Sequence, residues 1–226
     1  MAGMNVGSNG KKEGRKQREA FSVEKLYEKY YAGERARRGL FDALAAWSRP
    51  GRVLYPGSFI HITASFVFPS VVYVDNNRDA RRFFAKMDDV AAFANRHRVY
   101  SEKPEIIFHG LSYEAGIPES ENAFDLLISL YAGFISKPCK RYLKIGGILA
   151  VNNSHGDADL ASINPDYEFI GVIQKRGDRL RVVEENLDSY FEPKRETRVT
   201  EELVRKLNRG IGYTKTAPAY LFRRKR

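Results

Sequence analysis

The stretch from Arg52 to Asn76, RVLYPGSFIHITASFVFPSVVYVDN, constrains the fold of this chain more than any other. It predicts a buried strand at Val53–Tyr55, a turn at 56–58, an irregular crossover and a second buried strand at Val71–Val74. In an open parallel sheet, ligands bind beyond the carboxyl ends of the strands, where the first turn brings backbone N–H groups close to the ligand. The stretch therefore predicts a binding edge as well as a fold.

Two residues of this stretch have the spacing of a nucleoside site. Gly57 and Asp75 lie 18 residues apart, close to the roughly 20 that separate a glycine turn from the acid that binds a ribose. Each has a structural alternative, because Asp75 is also suited to capping a following helix and Gly57 to a turn with positive φ. We expect a cofactor that contains a nucleoside.

Composition limits the class of protein. A chain of 226 residues with 43% hydrophobic residues is typical of one globular domain. The single cysteine, Cys139, excludes an intramolecular disulfide and fits a reducing compartment. Residues 1–20 lack the apolar core of a signal peptide, and no later run reaches ~18 apolar residues. We expect a cytoplasmic protein without membrane contact.

The net charge of +10 belongs to the ends of the chain. Residues 1–38 hold ten Lys and Arg against five acids, residues 203–226 hold eight against none, and the remainder therefore carries −3. Terminal basic segments favour weak, sequence-independent contact with polyanions. We therefore expect any nucleic-acid contact to be weak and to use the basic termini.

The chain divides into three predicted parts: a disordered basic tail at 1–20, a helical segment at 21–49, and an α/β domain at 50–226. Helices are also expected over Arg78–Asn95, as one or two, and from Thr200 to Gly210 or Gly212. A further helix over Gly133–Tyr142 would lead into a Lys-Ile-Gly-Gly turn. The later strands are predicted at Glu105–Phe108, Phe124–Leu130, Ile148–Asn152, Tyr167–Lys175, Leu180–Glu184 and Ala219–Arg223.

Strands alternate with helical connections as far as Asn152, and a hairpin follows. Right-handed crossovers then give a doubly wound, mostly parallel sheet with an antiparallel C-terminal strand, in three α/β/α layers. The order VLYPGS, VYVD, FDLLISL, YLKIGGILAVNN resembles the class I S-adenosylmethionine-dependent methyltransferase family across residues 50–226. The most specific part is YLKIGG, which is similar to that family's LKPGG turn before the fifth strand.

The resemblance implies S-adenosylmethionine as the cofactor, with Asp75 on the ribose and the Pro56-Gly57-Ser58 turn under the methionine part. The full set of cofactor-binding candidates is Tyr55, Pro56, Gly57, Ser58, Asp75, Asn76 and Ser129. The glycine loop is a variant, since it has one glycine and a crossover unsuited to helix, and 109–112 lacks the acid often found near the adenine.

The catalytic candidates are His155, Asp157 and Tyr131, which follow the fifth and fourth strands. His155 and Asp157 are suited to a general-base pair, whereas Tyr131 is suited equally to acceptor contact and to packing. The histidines lack metal-ligand spacing, so no metal is expected.

These features predict a methyltransferase acting on an unidentified acceptor. The alternative is a non-catalytic methyltransferase-like module that binds a partner, such as RNA through its basic ends. A nicotinamide-dependent oxidoreductase would need a GxGxxG turn, which the sequence lacks.

Overall fold

The computed structural model describes residues 21–33 and 37–226. Their core is one eight-stranded sheet with the order β3-β2-β1-β4-β5-β8-β6-β7. The strands are β1 Val53–Pro56, β2 Ser70–Val74, β3 Glu105–His109, β4 Phe124–Ser129, β5 Leu143–Val151, β6 Tyr167–Arg176, β7 Arg179–Val183 and β8 Ala219–Arg224.

The first five strands pair in parallel, while β8 runs antiparallel to both β5 and β6. The hairpin strand β7 adds an antiparallel edge to β6. The predicted fold class, a doubly wound and mostly parallel sheet with an antiparallel C-terminal strand, is confirmed. The parallel strands are apolar on both faces because both faces are covered.

Helices cover the two faces unequally. They are α1 Val23–Tyr31, α2 Arg38–Ser48, α3 Arg78–Phe84, α4 Met87–His97, α5 Asp157–Ile163 and α6 Glu201–Leu207. Residues of α1 to α4 pack on one face, with Val53, Tyr55 and Tyr73 of the sheet. On the other face, α5 shares the cover with the irregular segments 111–123 and 130–142. The cover of this second face is therefore built largely from loops.

The predicted N-terminal helical segment contains α1, capped by Ser22, and α2. The tail predicted at 1–20 lies outside the described residues. In the described ranges, no helix combines the length and the apolar character needed to cross a bilayer.

The crossover after β1 is a buried 3₁₀ turn, Ile62–Phe66, instead of a helix. Its polar side chains are satisfied by tyrosine hydroxyls from the surrounding elements, in the pairs Tyr55–His61 (2.9 Å), Tyr27–Thr63 (2.6 Å) and Tyr73–Ser65 (2.6 Å). Buried polar groups need such partners. The irregular crossover that the sequence predicts is therefore a fixed part of the core.

The helix predicted at Gly133–Tyr142 is wrong. Only 140–142 forms a 3₁₀ turn, and Gly133 has a φ of +85°. The backbone N–H groups of Ile135 and Ser136 donate to the Asp157 carboxylate, which holds this segment in an irregular conformation. Strand β5 begins at Leu143 and contains the predicted Lys-Ile-Gly-Gly turn as an irregularity in its pairing with β4.

One further helix was not predicted, and one predicted helix ends earlier than expected. Helix α5 begins within the polar run after β5, where no helix was predicted. Helix α6 is capped by Thr200 as predicted, but it ends at Leu207 with Asn208 in the left-handed conformation. Asparagine tolerates that conformation, so neither Gly210 nor Gly212 is needed to end the helix.

Candidate functional site

A cavity of about 350 Å³ lies where the carboxyl ends of β1 to β4 meet. It is lined by Gly57, Asp75, Asn76, Leu111, Ser112, Tyr113, Glu114 and Ala132. These residues come from the turns that follow four different strands, which is where open α/β sheets bind ligands. The volume lies within the usual range of small-molecule sites, roughly 300–1,000 Å³.

Asp75 is half-buried and connects the ends of β1 and β2. Its Oδ2 accepts a hydrogen bond from the backbone N–H of Phe59, and its Oδ1 accepts one from that of Asn77, both at 2.7 Å. Asn77, not Asp75, caps α3, because its side chain accepts from Asp79 and Ala80. A carboxylate offers about four acceptor positions, so Asp75 retains capacity for a ligand on the cavity wall.

Gly57 has a φ of +63°, and its N–H donates to the Val74 carbonyl at 2.7 Å. A Cβ added at Gly57 would lie 2.2 Å from the Cβ of Ala132. Glycine is therefore required by the close approach of the segment after β4 as well as by its own backbone angle.

The other predicted cofactor residues do not line the cavity. Tyr55, Pro56 and Ser58 are buried, and the Tyr55 hydroxyl bonds His61 in the core. Ser129 is also buried, and its hydroxyl donates to Asp157 at 2.6 Å. Gly57, Asp75 and Asn76 are the predicted cofactor residues that reach the cavity.

Asp157 is the most completely bonded carboxylate near this edge. It accepts from the hydroxyls of Ser129 and Ser136, at 2.6 and 2.5 Å, and from the backbone N–H groups of Ile135 and Ser136, at 3.1 and 3.0 Å. Burial raises the pKa of the carboxyl, and these hydrogen bonds oppose that shift. The carboxylate thus holds the segment after β4 against the start of α5.

His155 and Asp157 do not form the predicted pair. Asp157 is directed into the donors of Ser129 and Ser136, while His155 is half-buried. Within the described residues, the His155 imidazole has no hydrogen-bond partner. The contacts of Asp157 therefore indicate a structural role for this carboxylate, without His155 as its partner.

Tyr131 is displayed at the same edge, next to Ala132. Its side chain is 55% exposed and its backbone has a φ of +58°, an uncommon conformation for an aromatic residue. Asn152 Oδ1 accepts from its N–H at 3.2 Å, and the Arg37 guanidinium lies 4.1 Å from the ring centroid. Strained residues of this kind concentrate at functional sites.

The tyrosines of α1 divide between core and surface. Tyr27 is buried, and Tyr31 stacks on His61 with centroids 4.4 Å apart. Tyr30 is 38% exposed and meets Phe59, whose N–H is bound by Asp75. Tyr30 alone of these three belongs to the surface beside the site.

The loop after β3 supplies cavity residues that the sequence interpretation missed. The Tyr113 hydroxyl donates to the Ala132 carbonyl at 3.0 Å, and burial raises its pKa to about 12. Glu114 brings an acid to the cavity, whereas His109 is directed to Glu119 at 2.8 Å. The topology could have indicated these residues, because the loop that follows a third parallel strand lies at the same edge of the sheet as the loops after β1 and β2.

No protein-family model and no curated protein sequence matches this chain. Solved structures do resemble it. A SAM-dependent methyltransferase from Thermotoga maritima is 12% identical, with 89% of this chain and 95% of that chain covered and a TM-score of 0.49. An O-methyltransferase from Bacillus cereus in complex with SAH is 11% identical, with 71% and 87% covered and a TM-score of 0.46.

An O-methyltransferase of tomaymycin synthesis from Streptomyces achromogenes, in complex with SAM, is 13% identical, with 71% and 86% covered and a TM-score of 0.43. At identities of 11–13%, these comparisons concern the fold alone. The strand order itself, with β8 antiparallel between β5 and β6, gives this chain the class I methyltransferase-like architecture that the sequence resemblance implied.

Proposed function

We propose that this protein is an S-adenosylmethionine-dependent methyltransferase that acts on an unidentified acceptor. The observation that carries the proposal is the position of Asp75, which lines the cavity at the end of β2 beside the Gly57 turn. Because the carboxylate has acceptor capacity beyond its two backbone hydrogen bonds, it suits the two hydroxyls of a ribose.

The residues on the cavity wall fit such a cofactor. Asp75 and Asn76 would hold the ribose, and Leu111 and Tyr113 would contact the base. The bound cofactor would supply an electrophilic methyl group. This chain would then contribute mainly orientation, which is worth up to roughly 7–11 kcal/mol in a well-aligned site.

The acceptor would lie on the side of Tyr131 and His155. Tyr131 offers an exposed ring, and the imidazole of His155 has no competing partner in the described ranges. In this proposal a proton released by the acceptor would pass to His155, which follows β5.

A second candidate is a methyltransferase-like module that binds a partner without catalysis. It is favoured by the contact between Ala132 and Gly57, which covers the turn that a cofactor's methionine part would approach. The two proposals differ in whether the cavity takes the cofactor.

Isothermal titration calorimetry with S-adenosylhomocysteine tests the choice directly. We expect saturable heat and a rise in the unfolding temperature, because a ligand selective for the native state stabilises it. Asp75→Asn should weaken binding by about 1.5–3 kcal/mol, the usual contribution of a charged hydrogen bond. The matched control, Asp79→Asn, changes an exposed acid of α3 outside the cavity.

Asp75→Asn will also lower the stability of the free protein, since it disturbs the contacts with Phe59 and Asn77. Ligand affinity and the unfolding temperature without ligand are therefore measured separately. Absence of heat and of any thermal shift at millimolar ligand would favour the non-catalytic module.

A further inference from the structure

A second groove, of about 580 Å³, lies between the segment 194–197 and the end of α6. It is lined by Lys194, Arg195, Thr197, Leu203, Leu207, Arg209, Gly210, Ile211 and Gly212. None of these residues belongs to the cavity at the ends of β1 to β4.

The rim of the groove carries uncompensated positive charge. Lys194, Arg195 and Arg209 are exposed, and among the described residues none of the three has a hydrogen bond, ion pair or ring contact through its side chain. Among residues 21–33 and 37–226, no acid is part of the groove lining, although Glu192 and Glu196 are close in sequence.

Two of the cations near the C-terminal end of the chain, Arg223 and Arg226, behave differently. Arg223 pairs with Glu168 at 3.2 Å, and Arg226 pairs with Asp166 at 2.6 Å. The charges of these two arginines are already paired within the fold, whereas those of Lys194, Arg195 and Arg209 remain available to an external anion.

The floor of the groove is aliphatic and fixed. Leu203, Leu207 and Ile211 line it, and Leu207 is 38% exposed. The Ile211 N–H donates to the buried Asp159 carboxylate at 2.8 Å. A Cβ at Gly210 would lie 2.3 Å from the Asn153 carbonyl oxygen, so this segment is packed tightly against the loop after β5.

The cationic rim and the aliphatic floor together favour one class of anionic ligand over others. Single-stranded nucleic acids bind best where aromatic rings stack on the bases, and no aromatic side chain from the described part of the chain lines this groove. A peptide with alternating carboxylate and aliphatic side chains complements both the cations and the floor. We propose that the groove binds a short acidic, leucine-rich segment of a partner protein, with carboxylates at Lys194, Arg195 and Arg209 and an aliphatic side chain on Leu207.

Fluorescence anisotropy with the full chain tests the proposal, which does not depend on methyl transfer. The probe is a fluorescein-labelled peptide of alternating Asp and Leu, compared with one of alternating Asp and Ser. Lys194→Glu should weaken binding of the Asp-Leu peptide about tenfold or more, since it replaces attraction with repulsion. The matched control, Lys103→Glu, reverses an exposed charge outside the groove and should leave binding unchanged.

Leu207→Ser tests the contribution of the aliphatic floor to binding independently of the cationic rim. It should weaken binding of the Asp-Leu peptide and leave the Asp-Ser peptide unaffected, with unfolding temperatures recorded for every variant. The proposal is overturned if the Asp-Leu peptide shows no saturable binding, or if Lys194→Glu and Lys103→Glu bind it equally. Tighter binding of a labelled single-stranded RNA of equal charge, lost in Lys194→Glu, would assign the groove to nucleic acid instead.

Discussion

Ala132 lies directly against Gly57, so that a Cβ at position 57 would be 2.2 Å from the Ala132 Cβ. The pair joins the turn after β1 to the segment after β4, on the wall of the candidate cofactor cavity. Close contact between the backbone of one element and a methyl group of another is sensitive to a single added carbon.

Gly57→Ala should therefore lower the free energy of unfolding by about 2–5 kcal/mol, from overpacking together with the positive φ. Urea unfolding measures the change. Gly177→Ala is the matched control, because Gly177 has a φ of +60° but, within the described ranges, no atom within 4 Å of its added Cβ. In the double variant, Ala132→Gly should restore most of the stability that Gly57→Ala loses beyond the loss in Gly177→Ala. Equal losses in the two alanine variants would contradict the contact.

Asp157→Asn should destabilise the protein by at least about 2 kcal/mol, because its partners are donors and an amide NH₂ cannot accept from them. The relevant donors are Ser129, Ile135 and Ser136. Asp178→Asn, at an exposed turn, is the control and should have little effect. Thermal unfolding of both variants checks this, and equal stability would refute the anchoring role.

The Asp166 carboxyl should make the stability of the protein depend on pH in the acidic range. Hydrogen bonds from Lys140 and Arg226 lower the pKa of its carboxyl from 3.8 to about 2. A lowered folded-state pKa contributes stability above the unfolded value, and this contribution is lost as pH falls through about 2. A carboxyl NMR titration should show the low midpoint, and Arg226→Gln should raise it. A midpoint unchanged in Arg226→Gln would show that the pair is not formed in solution.

Nucleic-acid affinity should depend on residues 1–20 more than on Arg223 and Arg226 at the other basic end. The first twenty residues hold five Lys and Arg against two acids, whereas Arg223 and Arg226 are paired with acids. Deleting residues 1–20 should remove most affinity for a labelled oligouridylate and leave the unfolding temperature unchanged. Affinity of the full chain should fall steeply with salt, and salt-resistant binding by the truncated chain would contradict this.

All eight strands were predictable, because each is either a short apolar run or, in the hairpin of β6 and β7, an alternating pattern bounded by turn residues. Phe124–Ser129 is the clearest example, since it is apolar enough to be covered on both faces. The segment between β4 and β5 was not predictable, because its conformation is decided by a carboxylate far along the chain. Ile135 and Ser136 donate to Asp157, 22 and 21 residues away, and no local pattern reports such a contact.

The candidate site was predictable where it follows from strand ends. Gly57, Asp75 and Asn76 were assigned from the ends of β1 and β2, and all three line the cavity. Tyr113 and Glu114 were missed because the loop after β3 has no periodicity. Its position depends on a tertiary hydrogen bond, from the Tyr113 hydroxyl to the Ala132 carbonyl.

The dependence of the segment after β4 on Asp157 also orders the assembly of the chain. Strands β1, β2 and β4 can pair before α5 exists, but Ser129 and Ser136 find their acceptor only when Asp157 has been placed. Closing that loop requires ordering the intervening chain first, which delays contacts of large sequence separation. During synthesis, the wall of the cavity that carries Ala132 would be completed only after β5 and the first turn of α5 have docked.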